Sequence, residues 1–169
     1  MSHLLRQYLG VALLRDSPAD LPPGPFAVCL AVVFAMSVYV VVGSFGSSVS
    51  LSFSRSVLDI TLNGVLLAGT LAAFRCPERF TQAFSAVCGS GAIVNLAALP
   101  LMWRIGQLPE GVEPGGGYLL PWLLLMVWLV AVQAHILRLT LETSRGLSIT
   151  LAIGYLFVAF VAFDLVFGG

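Results

Sequence analysis

Between Phe26 and Arg55 the chain places no charged residue, and the densest part of that stretch, Cys29 to Phe45 (CLAVVFAMSVYVVVGSF), is almost wholly apolar. The hydrocarbon core of a bilayer is about 30 Å thick and takes roughly 20 apolar helical residues to cross, so this stretch predicts a transmembrane helix. Four further segments of similar character follow, at about Val57 to Phe74, Thr81 to Trp103, Tyr118 to Leu137 and Leu147 to Phe167. Hydrocarbon offers no partner to open backbone groups, so all five must be helical. Composition agrees with this reading: 59% of residues are hydrophobic, 9% are charged, and the mean hydropathy is +0.99. Those values lie outside the range of soluble globular domains. Eight Arg, with no Lys, cancel eight acidic residues. The chain therefore has no electrostatic footprint for nucleic acid, and the lipid bilayer is its first partner.

The second segment is short and carries Asp59 near its start and Asn63 one turn later. Charge bias tests whether it spans. With five spans and a cytoplasmic N-terminus, inside segments hold Arg6, Arg15, Arg75, Arg79, Arg138 and Arg145, and outside loops hold Arg55 and Arg104. Six against two follows the positive-inside rule, whereas deleting the second span gives three against five and inverts the chain. The reading is thus five spans, N-terminus inside and C-terminus outside. Arg75-Cys76-Pro77-Glu78-Arg79 predicts a tight inside turn with Pro77 opening the next helix, and Leu139 to Gly146 predicts a second. Pro109 to Gly117 (PEGVEPGGG) reads as a flexible outside loop, flanked by Trp103, Tyr118 and Trp122 as an aromatic belt.

Ser2 to Arg15 (SHLLRQYLGVALLR) has an apolar run too short for a span, and it lacks the small-residue cleavage site of a signal peptide. On a helical wheel His3, Arg6, Gln7 and Gly10 share one side and Leu5, Tyr8, Leu9, Ala12 and Leu13 the other. That pattern predicts an amphipathic helix lying in the plane of the cytoplasmic surface. Asp16 to Pro25 (DSPADLPPGP) carries four prolines and predicts a semi-rigid spacer. The chain thus divides into residues 1–25, amphipathic helix and linker, and 26–169, an all-α integral membrane domain of five helices.

This order, with Asp20-Leu21-Pro22-Pro23-Gly24-Pro25 directly before the first span, resembles the Yip domain family, the YPT-interacting membrane proteins and their bacterial relatives. Eukaryotic members carry an Asp-Leu-Tyr-Gly-Pro motif at this place, and the stretch here is similar to it with one extra residue and no tyrosine. The turn at Ile136 to Ser148 is similar to the polar turn before the last helix of bacterial members. The second Gly-Tyr motif of the family sits mid-domain, whereas Gly154-Tyr155 falls in the last span here. The resemblance implies a non-enzymatic membrane adaptor, the expected location is the bacterial inner membrane, and the all-Arg basic set suits a GC-rich bacterial genome.

Polar residues at membrane depth are costly, about 2.5 to 3.5 kcal/mol for a charge at a helix centre, so they are the first candidates for function. Asn63 and Asn95 read either as interhelical glue or as contacts to a transported solute. Asp59 and Asp164 fall near the outer face, as interfacial ion pairs with Arg55 and Arg104 or as a cation-binding carboxylate pair. On the inside, Arg75, Glu78, Arg79, Arg138, Glu142 and Arg145 converge if the two turns are neighbours. Such a patch docks a cytoplasmic partner or anionic headgroups, or is ordinary positive-inside decoration. In the third span Ser85 and Gly89, and Ala86 and Ser90, form small-xxx-small pairs that let helices approach closely, at the packed centre of the bundle or at a self-association face.

Pro100 and Pro121 are expected to bend or end their helices. Cys29, Cys76 and Cys88 have no metal-ligand or disulfide spacing, and Cys76 beside Arg75 is the one with a case for reactivity. No catalytic motif and no cofactor motif is present. The expectation is a non-catalytic adaptor or organiser that contacts other membrane proteins or itself. A homo-oligomeric channel or small transporter using Asp59, Asn63, Asn95 and Asp164 is the alternative.

Overall fold

A computed structural model describes residues 2–108 and 115–168, and the side chains from Leu4 onward within them. The side chain of His3, on the predicted polar side of the first helix, and most of the predicted outside loop at 109–117 lie outside what is described. The described chain is helical, with no strand. It forms α1 (Ser2–Ala12), α2 (Pro25–Gly43), α3 (Val49–Ala73), α4 (Phe80–Ile105), α5 (Gly116–Leu141) and α6 (Arg145–Phe167). The last five are each long and apolar enough to cross a membrane, which makes this a multi-pass membrane protein.

The helix α4 is the centre of the bundle. It buries the largest share of its length, and α1, α2, α3 and α5 all pack on it. Small residues make this possible, since Ser85, Ala86, Gly89 and Ser90 are all buried and present little more than backbone to their neighbours. The helix α2 is apolar all round, so hydrophobicity alone cannot orient it. Its buried face is a row of small residues, Ala27, Ala31 and Ala35 followed by Val38 and Val42, seated on α4.

Three chain reversals share one end of the bundle and one geometry. After α1, α3 and α5 a residue turns left-handed, Leu14 (φ 61°), Arg75 (φ 60°) and Glu142 (φ 51°). The next amide then reaches back five residues: Arg15 N to Gly10 O (2.9 Å), Cys76 N to Leu71 O (2.9 Å) and Thr143 N to Arg138 O (3.2 Å). These bonds satisfy carbonyls that a helix end otherwise leaves bare. Ser144 then caps α6, and Ser17 and Asp20 form a reciprocal capping box around the turn Pro18–Asp20.

Two expectations are corrected. The helix α3 begins at Val49, not near Val57, because Ser52, Ser54 and Ser56 each donate to the carbonyl four residues back and so satisfy themselves inside the helix. Arg55 is therefore a residue of α3 and not of a loop, and the α2–α3 connection shrinks to Ser44–Ser48. For the prolines, of the two alternatives only ending the helix is ruled out: α4 continues past Pro100 to Ile105, and α5 starts before Pro121, at Gly116.

Candidate functional site

A cavity of about 470 Å³ lies among α2, α3, α4, α5 and α6. It extends from Gly46 and Ser47 in the α2–α3 connection to Gln133 and Ala152, well inside α5 and α6. The helix α3 contributes Arg55, Asp59 and Asn63, one turn apart along a single face, because residues four apart stack on a helix. The helix α4 contributes Ser90 and Asn95, and α2 contributes Tyr39, whose hydroxyl sits over the bare backbone of Gly91.

The longer α3 changes the place of Asp59. Ten residues after Val49, it lies about 15 Å along the helix axis, near mid-helix and not at the start of a span. The amide of Asn63 donates to Asp59 twice, to the backbone carbonyl at 3.0 Å and to Oδ1 at 3.2 Å. Asn95 donates to Gly91 O at 3.1 Å. All three bonds stay within a single helix, and among the described residues neither asparagine bonds across helices.

Three of the four intramembrane candidates, Asp59, Asn63 and Asn95, are thus brought together, and Asp164 is not. Asp164 is exposed near the end of α6, so no carboxylate pair forms. The expected interfacial ion pairs are also absent among the described residues. Arg55 instead stacks its guanidinium 5.5 Å from the centre of the Phe167 ring, a cation–π contact. Sequence reading also passed over Gln133, although a lone amide in an apolar span is the same signal that marks Asn95. Its Nε2 is buried and has no partner among the described residues.

At the opposite end, Arg79 joins the two short turns. Its guanidinium donates to Thr140 O at 2.7 Å and to Glu142 Oε1 at 2.6 Å, so Glu142 pairs with Arg79 and not with Arg138 four residues before it. Arg75, Glu78 and Arg145, within four residues of this clasp in sequence, are exposed, with Arg138 half-buried.

The helix α1 is attached to the bundle by specific contacts. The Tyr8 hydroxyl meets Ser85 Oγ at 2.9 Å, and the ring lies against Gly89, where a methyl group would overlap it. Burial raises the Tyr8 phenol above its ordinary pKa, with the Ser85 hydrogen bond opposing the shift. Of the predicted apolar side, Tyr8 and Ala12 are buried while Leu5, Leu9 and Leu13 are exposed. Trp128 Nε1 donates to Ala12 O at 2.8 Å, His135 Nε2 lies 3.0 Å from Asp16 O, and Gln82 donates to the carbonyls of Ala19 and Leu21. Cys29 is exposed, Cys76 half-buried and Cys88 buried, and no group of three metal-ligating side chains exists among the described residues. No protein-family model, curated protein or solved structure matches the chain.

Proposed function

We propose that the chain is a non-catalytic, multi-pass protein of a bacterial inner membrane that binds and passes a small polar solute through the cavity enclosed by helices α2, α3, α4, α5 and α6. One observation carries this reading. Asp59, Asn63 and Asn95 face a common cavity while making their hydrogen bonds only within their own helices. Interhelical glue requires a bond from one helix to another, and neither asparagine makes one. Their remaining hydrogen-bonding capacity points to an occupant of the cavity.

Cysteine reactivity tests the reading. In a background with Cys29, Cys76 and Cys88 replaced by Ala, Ala98→Cys on the cavity wall should react with a charged, membrane-impermeant methanethiosulfonate. Leu96→Cys, on the exposed side of the same helix, should stay unmodified in lipid. An unreactive Ala98→Cys sinks the proposal, because a solute path must admit water.

The Arg79–Glu142 clasp favours a second reading, the adaptor implied by the Yip-like order of elements. It ties two turns into one platform around which Arg75, Arg138 and Arg145 are left for a cytoplasmic partner. That reading predicts a stoichiometric partner that copurifies from native membranes and is lost in the triple Arg75→Glu, Arg138→Glu, Arg145→Glu variant.

A further inference from the structure

We propose that the cavity takes a small zwitterion with an apolar body, in the class of neutral amino acids, held between Arg55 and Asp59. The inference rests on the solute-binding reading above and names its ligand. Arg55 and Asp59 are the two charged residues on the cavity wall, and they have opposite sign. They lie four residues apart on α3, about 6 Å along its axis, and they do not pair with each other: among the described residues Arg79–Glu142 is the one ion pair.

A cation alone would satisfy Asp59 and leave Arg55 facing a second positive charge. An anion alone would do the reverse. A zwitterion completes both contacts and brings no net charge into a region of low dielectric, where uncompensated charge is most costly. An ammonium and a carboxylate carried on one small body, each contact about 2.8 Å long, would meet the two side chains. The facing wall is mainly apolar, with Leu125, Met126 and Leu129 of α5 and Phe163 of α6 outnumbering Gln133 and Tyr155, so the ligand's side chain is apolar too.

The experiment uses the full chain in lipid nanodiscs and three compounds that share one carbon body. These are L-leucine, 3-methylbutylamine, which lacks the carboxylate, and 4-methylpentanoate, which lacks the amine. Binding is read as a rise in Tm and as protection of Ala98→Cys from the methanethiosulfonate. Leucine should bind roughly ten- to hundredfold more tightly than either fragment, the worth of one charge-assisted contact. Asp59→Asn should erase the preference over 4-methylpentanoate, and Arg55→Gln the preference over the amine.

Equal binding of leucine and either fragment overturns the zwitterion and leaves a singly charged solute in its place. Failure of all three to protect a reactive Ala98→Cys overturns the ligand class while the water-filled cavity stands. An unreactive Ala98→Cys removes the cavity reading itself. The compound series on the unsubstituted cavity decides the matter even if a charge variant does not fold.

Discussion

Tyr8 and Gly89 form a matched pair in which a ring occupies the space that a missing side chain leaves. Gly89→Leu forces that ring out and should destabilise the protein by about 1 to 3 kcal/mol, the usual range for overpacking. Tyr8→Phe keeps the ring and removes only the bond to Ser85, so its cost should be about 1 kcal/mol. Unfolding of the two variants in mild detergent ranks them, and the order should invert if the hydroxyl rather than the close approach holds α1. The Ser85 and Gly89 spacing was legible as a place of close contact, but what fills it was not. A small-xxx-small pair records that something approaches, and nothing in α4 specifies a tyrosine 81 residues earlier (Tyr8 to Gly89). Asp59 and Asn95 were legible for a different reason: a polar side chain in an apolar run is conspicuous in one dimension, whereas its partners are set in three.

At the scale of the element, α3 shows where hydropathy misleads. Ser50, Ser52, Ser54 and Ser56 lower the apolar density of its first turns, so the sequence reads as a loop there. Three of those hydroxyls bond to the carbonyl of the preceding turn, which hides their polarity from the surroundings. The helix start is instead marked by Ser48, whose Oγ accepts from Leu51 N at 3.3 Å. Ser48→Ala should cost about 0.5 to 2 kcal/mol. Ser54→Ala, exposed and bonded only to its own helix, should stay within about 0.5 kcal/mol of wild type. Equal losses in thermal unfolding would show that the serine tract, and not the cap, begins α3. The two short turns, by contrast, were legible from Pro77 and from the breaks that charged residues make between apolar spans, though nothing in Arg75 or Glu142 announces the left-handed backbone they adopt.

For the whole molecule, five alternating helices place Arg75, Arg79, Arg138 and Arg145 at one end and Arg55 and Arg104 toward the other. The positive-inside rule then orients the proposal, with the clasp of Arg79 in the cytoplasm and the end of α6 outside. Alkaline phosphatase fused after Gly168 should be active, and the same enzyme inserted at Ser144 inactive; the opposite pattern inverts the topology. The bundle count was legible because span length is a one-dimensional property, and the seating of α1 was not, because it depends on contacts made across most of the chain. Those contacts also have an order in time. Trp128 and His135 are 116 and 119 residues from the carbonyls they meet. At about 5 to 20 residues per second of synthesis, roughly 6 to 24 s pass before α5 exists to receive them. Full fastening of α1 therefore waits for α5, and a nascent chain stalled before α5 would hold α1 by its α4 contacts alone, without these two anchors.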